Sequence, residues 1–331
     1  MSYPHDDPGR QPAGHSDGLP DRGAVDPFAP APAFHVPALS QKFKGRLWLH
    51  ILLFAVTLGT TTAVGALHYH SFASQFGRID VPLRWSLLVP GLWYSLTLLS
   101  ILGAHEMGHY LFCRRYNIDA SLPYFIPAPV PLTGTLGAVI KIRESFPTRT
   151  VLFDIGVGGP IAGFLIVLPA LFIGLAMSNV VPVPVGHDVF YLGEPLLFRA
   201  GVKLVFGAIQ DGYTVNMHPM VFASWFGMLA TALNLLPFGQ LDGGHITYAT
   251  MKRLSTPISL TTAVVMTRFT SSWTFMTIMM VLMLVLLGPR HPRVIAEWEP
   301  LKRNRYGIAV VALIILILCF TPVPIALVGQ P

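Results

Sequence analysis

AHEMGHY, residues 104–110, lies near the end of a long apolar run that begins around Trp85. On a helix His105 and His109 are one turn apart on the same face, so both imidazoles can bind one metal ion. Glu106 lies beside them and can reach a water molecule at that metal. The flanking apolar residues are typical of a membrane span, where ionisable groups are costly and a chance motif would leave them unsatisfied. The pattern therefore predicts a zinc hydrolase site within a membrane helix.

The composition is that of a polytopic membrane protein. Of 331 residues, 53% are hydrophobic and 11% are charged, which is too few charges to cover a soluble globule of this size. The basic residues lie beside apolar runs, as membrane orientation signals do, and no basic stripe with interleaved aromatics indicates nucleic acid. Cys113 and Cys319 are the only cysteines, so any zinc would be held by histidine and carboxylate. We therefore expect the lipid bilayer, and no nucleic acid, as a partner.

The chain divides into a polar tail and a membrane domain. Residues 1–40 are rich in Pro, Gly and Asp without apolar periodicity, and we expect a disordered tail there. Lys42, Lys44 and Arg46 precede the first span and place the amino terminus in the cytoplasm by the positive-inside rule. Residues 45–331 would form one transmembrane domain that carries the predicted zinc site. Its parts are a core at 85–250, which contains a re-entrant segment at 120–148 and an outer segment at 178–217.

Apolar runs predict an all-α fold with about six transmembrane helices. The predicted spans are residues 47–67, 85–112, 153–177, 219–236, 273–287 and 308–327. His68 and His70 would lie at the outer interface as wet side chains and not as ligands. The outer segment would be a membrane-surface helix pair or a partial lid. Six spans place the basic residues of 290–305 outside, against the positive-inside rule, unless residues 256–269 also cross; the sequence leaves this topology open.

Residues 117–149 break the helical pattern with prolines and glycines. Prolines exclude a spanning helix here, while Leu136, Ala138 and Ile140 alternate with other residues as in a short strand. Apolar non-helical backbone is tolerated at membrane depth where protein covers it or a wet cavity adjoins it. We predict a small re-entrant β element beside the metal; a surface loop with an apolar tip is the alternative.

The third predicted span begins with a glycine-rich stretch. Gly159 and Gly163 form a small-xxx-small pair that lets another helix approach closely. Asp154 lies where it could accept hydrogen bonds from free helix amides. We interpret these residues as packing elements.

A third ligand is expected from NLLPFGQLDGGH, residues 234–245, which follows the inward-running fourth span. Asn234 and Asp242 would reach the depth of the two histidines. Asp242 would complete a set of two histidines and one carboxylate with an open fourth position. His245 is the competing third ligand, and we assign it a supporting role.

HEMGH, GTLGAVI, DIGVGGPIAG and NLLPFGQLDGGH occur in this order over roughly residues 85–250 and resemble the site-2 protease family of intramembrane zinc metalloproteases. The resemblance implies one zinc ion per chain, held by His105, His109 and Asp242. It also implies Glu106 as the general base and Asn234 as a polar group near the reacting carbonyl.

In that family the loop that matches GTLGAVI is a re-entrant strand that pairs with an unwound transmembrane substrate. The resemblance therefore implies substrate binding by Gly134, Thr135, Leu136, Gly137, Ala138, Val139 and Ile140. The chain departs from the regulated bacterial members because it has no room for a PDZ domain between its third and fourth spans.

We accordingly expect a protease that hydrolyses peptide bonds in or near transmembrane segments of membrane-anchored proteins and releases regulatory domains. The expected location is the bacterial inner membrane. A metal transporter is a weaker alternative, because ligands should then repeat along a path through other spans. An inactive scaffold would have lost the base or a ligand, and all four residues are present. The sequence indicates neither the physiological substrate nor the oligomeric state.

Overall fold

The computed structural model describes residues 46–130, 132–183, 189–269, 288 and 290–328. The tail predicted at 1–40 and the span predicted at 273–287 lie outside these residues. The α-helices in the described part of the chain are α1 (Leu47–Ala73), α2 (Leu88–Arg115), α3 (Arg149–Ala176), α4 (Leu196–Phe206), α5 (Pro219–Leu235), α6 (Asp242–Met251), α7 (Ser255–Phe269) and α8 (Asn304–Cys319). The strands are β1 (Tyr124–Pro127), β2 (Thr135–Val139), β3 (Asn179–Pro182), β4 (Val189–Leu192), β5 (Tyr213–Asn216) and β6 (Ile325–Val328).

Three of these helices are long and apolar enough to cross a membrane: α1, α2 with the turn that precedes it, and α3. α5 and α8 are apolar but shorter, so the described residues do not establish the six predicted spans. α2, α3 and α5 pack together around Tyr94, Phe153 and Trp225, whose side chains are fully buried. This packed centre positions the candidate site.

The fold is mostly helical, as predicted, and its described residues also contain short strands beyond the predicted re-entrant element. β1 pairs with β2, β3 with β5, and β4 with β6, each as an antiparallel two-stranded sheet. The predicted outer segment consequently contains the single helix α4 among short strands, and no helix pair is described there. The last predicted span also ends early, because Pro322 and Pro324 cannot continue a helix and the chain then enters β6.

Side-chain contacts show which helix ends share one side of the molecule. Arg305, at the start of α8, donates from Nε and Nη2 to the Asp154 carboxylate of α3 at 3.1 and 2.8 Å. Tyr116, just after α2, donates to the same carboxylate at 2.5 Å. Arg305 therefore lies beside the basic end of α2, which is the arrangement that the positive-inside rule favours among the alternatives that the sequence left open.

The sequence suggested that Asp154 caps the start of α3, but it does not. α3 begins five residues earlier, and its first amides are served by Thr148, whose Oγ1 accepts from the Val151 amide at 3.3 Å. Asp154 is used instead to hold Arg305 and Tyr116 at the shared end of three helices.

Candidate metal centre

Three donor atoms from two distant parts of the sequence meet in the packed centre. His105 Nε2 and His109 Nε2 are 3.1 Å apart, and Asp242 Oδ2 lies 3.2 Å from the first and 3.3 Å from the second. They are the only group of three potential metal ligands found in the described residues. Tetrahedral zinc with ligand bonds of 2.0–2.1 Å requires donor atoms about 3.3 Å apart. The triangle of donors therefore fits a zinc ion.

A backbone contact orients His109 for metal binding. His109 Nδ1 lies 2.7 Å from the carbonyl oxygen of Ile155, which can only accept a hydrogen bond. Nδ1 consequently carries a proton, and Nε2 is the ring atom that faces the Asp242 carboxylate and can bind a metal ion. A carbonyl that orients a histidine in this way is a common second partner in metal sites.

Glycines of α3 allow the helix that carries the two histidines to approach. A Cβ added at Gly159 would lie 2.1 Å from His109 Nε2, and one added at Gly163 would lie 3.3 Å from His105 Cβ. The predicted close helix approach is therefore confirmed. Its consequence is larger than packing, because the backbone of α3 forms a wall directly behind both imidazoles.

Glu106 lies on the side of the site that faces the β1–β2 hairpin. Its carboxylate lies close to the backbone amide of Ile140, the residue that follows β2. Lys141, the next residue, pairs with Ser121 on the opposite side of the strand. Since successive residues of a strand direct their backbone groups to opposite edges, the edge that carries the Ile140 amide faces Glu106.

The break between α5 and α6 brings Asn234 and Asp242 to the two histidines. α5 ends at Leu235 before Pro237, and α6 begins at Asp242. Asn234 Nδ2 lies 3.2 Å from His105 Nε2, so its amide is beside the donor triangle. The structure thus brings together the residues that the sequence proposed for catalysis and metal binding.

The β1–β2 hairpin packs along the side of α1 that faces the rest of the protein. His50 Nδ1 is 3.1 Å from Pro123 O, and Thr60 Oγ1 donates to Gly134 O at 2.7 Å. Farther along α1, His68 Nε2 is 3.1 Å from Leu132 O. At 1.5 Å per residue, His50 and His68 are about 27 Å apart along the helix, so the hairpin follows most of a span.

These contacts confirm the predicted strand and correct one detail. His68 is not the wet side chain expected from its position, because its ring also packs against Tyr94 and Phe222. The residues predicted to bind substrate, 134–140, form the turn, β2 and its end. Within the described residues, β1 is the only strand that pairs with β2, which leaves its second edge open toward Glu106.

His245 does not join the donor triangle in the described geometry. Its Nδ1 is 2.6 Å from Nε2 of His291, a residue that the sequence analysis did not select. Both residues lie outside the three candidate spans. Burial, followed by the proximity of His291, lowers the pKa of His245 to about 3, and burial also lowers the pKa of His291. Both rings are therefore neutral at neutral pH, which agrees with a supporting role for His245.

Comparisons with known proteins place this sequence in a family. A family model described as Peptidase family M50 matches residues 93–284, more than half of the chain. No solved structure matches the chain significantly.

Named relatives come from plants. The chain is 28% identical over 250 residues to "Probable zinc metalloprotease EGY2, chloroplastic" of Arabidopsis thaliana, covering 74% of this chain and 44% of that protein. It is 30% identical over 226 residues to "Probable zinc metalloprotease EGY1, chloroplastic" of the same plant, covering 60% and 39%. The chain spans less than half the length of these relatives. Because they are chloroplastic, they do not support the bacterial inner membrane expected from the sequence.

Proposed function

Because the chain belongs to peptidase family M50, the site-2 protease family, we propose that it is an intramembrane zinc metalloprotease. Its substrates would be membrane-anchored proteins, cleaved in or near a transmembrane segment, with release of a regulatory domain as the outcome. The observation that carries this proposal is the donor triangle of His105, His109 and Asp242 with Glu106 beside it. Two of its donors lie on α2, one of the candidate membrane spans.

Each residue of the site has a role that follows from its position. His105, His109 and Asp242 would hold one zinc ion, which when bound would act as a Lewis acid on the scissile carbonyl and on water. Glu106 would accept the proton of the attacking water and deliver it to the leaving amine. Asn234 would donate from Nδ2 to the oxygen of the carbonyl as negative charge develops there.

The open edge of β2 would bind the substrate. A helical transmembrane segment hides its amides in its own hydrogen bonds, so it must unwind before its backbone can be cleaved. Pairing with residues 134–140 would compensate the exposed backbone groups of the unwound segment. The Ile140 amide marks where this edge meets Glu106, so a strand paired there would pass beside the base.

The membrane orientation follows from the charges. Arg114, Arg115 and Arg149 lie at the end of the molecule that also holds Arg305, so this end would face the cytoplasm or its organellar equivalent. The amino terminus, before α1, would lie on the same side.

Glu106→Gln tests the proposal most directly. The variant should keep zinc, because the amide removes the base but no ligand, and cleavage of a panel of transmembrane peptides should fall by at least 10². The Asp242→Ala variant, purified in the same way, should lose both zinc and cleavage. Metal analysis and mass spectrometry of the products measure the two effects; cleavage by Glu106→Gln at the wild-type rate would overturn the proposed base.

A further inference from the structure

Residues 290–301, which we term the return segment, pack against α6 and the start of α3. Their position in the sequence is beyond the 93–284 match to the family model. Ile295 N donates to Phe146 O at 3.1 Å, and Ala296 N donates to Pro147 O at 2.8 Å. Arg149 donates from Nε and Nη2 to Glu299 O at 3.1 and 2.9 Å. The segment is therefore fixed to the first turn of α3.

A second set of contacts fixes the return segment to α6. Tyr248 donates its hydroxyl proton to the Glu297 carboxylate, and Lys252 Nζ lies 3.0 Å from the other carboxylate oxygen. The His291 ring stacks on the Tyr248 ring with centroids 4.4 Å apart and planes inclined by 23°. These contacts lie one to three turns beyond Asp242 on the same helix.

The hydrogen bonds of His291 run in a defined direction. Its Nδ1 lies 2.5 Å from Pro292 O, which can only accept, so Nδ1 carries the proton and Nε2 is an acceptor. His245 Nδ1 must then be the donor in the 2.6 Å contact to His291 Nε2. His291 Nε2 thus accepts a hydrogen bond from the single N–H of the neutral His245 ring.

His245 is held on its other sides as well. A Cβ at Gly156 of α3 would lie 2.8 Å from His245 Cβ, so the two helices touch at this residue. Its ring also meets the Phe146 ring edge to face at 5.8 Å. His245 lies three residues after Asp242, on the same face of the first turn of α6. Rotation of that turn would move both side chains together.

We propose that His291 is a positioning residue for the metal centre. His291 accepts a hydrogen bond from His245 Nδ1. This bond holds the first turn of α6 in the orientation that directs Asp242 Oδ2 between the two histidines of α2. The inference rests on the proposed function in one respect, namely that Asp242 binds the metal. The other anchors of the return segment involve different residues, so the segment should stay docked when His291 is replaced.

A matched pair of variants separates the hydrogen bond from the packing. His291→Gln and His291→Met have side chains of similar length, and both lose the ring that stacks on Tyr248, but only glutamine supplies a strong acceptor for His245 Nδ1. His70→Met is the control. It removes a histidine in the last turn of α1, whose Nε2 lies 2.7 Å from Val81 O. This residue is far along the chain from α6.

The probe is Co²⁺ bound to the detergent-purified full chain, followed by its visible absorption and by competition with a chelating dye. His291→Met should weaken Co²⁺ binding on the order of tenfold, the lower end of the effect of outer-shell changes on metal sites, and should shift the ligand-field bands. His291→Gln should restore most of the affinity and the wild-type bands. His70→Met should match wild type.

Wild-type affinity and bands in His291→Met would overturn the inference. So would an equal loss in the Gln and Met variants, since the ring would then matter and not its acceptor. If His291→Met does not fold, His291→Phe takes its place, because phenylalanine keeps the stack on Tyr248 and lacks the acceptor. Failure of wild type to bind Co²⁺, or binding unaffected by Asp242→Ala, would count against the proposed function itself and is distinguishable from these results.

Discussion

The candidate site has two walls that are packed in opposite ways. The wall formed by α3 leaves no space, since a Cβ added at Gly159 would lie only 2.1 Å from Nε2 of His109 on α2. The wall formed by β2 is open: Leu136 is 70% exposed, and a Cβ at Gly137 would meet nothing within 4 Å. A metal requires donors in a fixed geometry, whereas a peptide substrate requires an accessible backbone edge. The contrast supports the proposal that the α3 wall holds the metal-binding imidazoles in place and that the β2 wall binds substrate.

The largest expected effect comes from adding a side chain to the α3 wall at Gly159. Gly159→Ala should displace the His109 ring, because the new carbon would lie 2.1 Å from Nε2 and the α3 backbone behind it cannot retreat. We expect a loss of zinc affinity on the order of hundredfold and a parallel loss of cleavage. Metal titration of the purified variant checks this.

Gly163→Ala is the graded control for that variant. Its added carbon would lie 3.3 Å from His105 Cβ, a contact that a few tenths of an ångström relieve, so zinc binding should change little. Equal zinc affinity in both variants would contradict the view that the α3 wall sets the position of the imidazoles.

The next effect should appear on the strand wall and leave the metal untouched. Ala138 is two residues before Ile140 and shares its edge of the strand, so its amide should be available to a paired substrate. Ala138→Pro removes that donor, and we expect cleavage to fall roughly tenfold, as expected from the loss of one hydrogen bond of about 1.4 kcal/mol. Zinc content should stay at the wild-type level.

Ala138→Val is the matched variant, because valine keeps the amide and favours a strand. Its cleavage rate should stay close to that of wild type when measured with the same peptides. If the proline variant cleaves as fast as the valine variant, the substrate does not pair with this edge. If the proline variant loses zinc, the two walls are not independent.

The two walls also differ in how far the sequence could predict them. Helical spacing places His105 and His109 on one face, and the depth of the fourth span places Asp242 nearby, so local rules predicted that these donors converge. The alternation of Leu136, Ala138 and Ile140 likewise predicted the strand. Each of these patterns is contained in a short window of sequence.

Two other contacts between distant residues follow no such pattern and could not be predicted from the sequence. His245 and His291 are 46 residues apart and Asp154 and Arg305 are 151 apart, with no periodicity that links either pair. Asp154 was interpreted as a helix cap because a local rule applied to it, and the structure uses it for a tertiary contact instead. The side on which residue 305 lies, which the sequence left open, likewise depends on its partner in α3.

The smallest effect on catalysis, and the clearest effect on stability, should come from Arg305. Its guanidinium binds the buried Asp154 carboxylate at a shared end of α2, α3 and α8, away from the donor triangle. Arg305→Leu leaves that charge buried with only the Tyr116 hydroxyl as a described partner, and we expect a loss of about 3 kcal/mol in unfolding free energy. The double variant Asp154→Leu and Arg305→Leu should recover most of this loss, because replacing a buried ion pair by apolar residues is often neutral. Thermal unfolding of the zinc-loaded protein in detergent measures both, with cleavage per folded molecule unchanged. A double variant that is no more stable than the single one would mean that the ion pair itself holds α8 against the helical wall, and that this wall depends on more than its glycines.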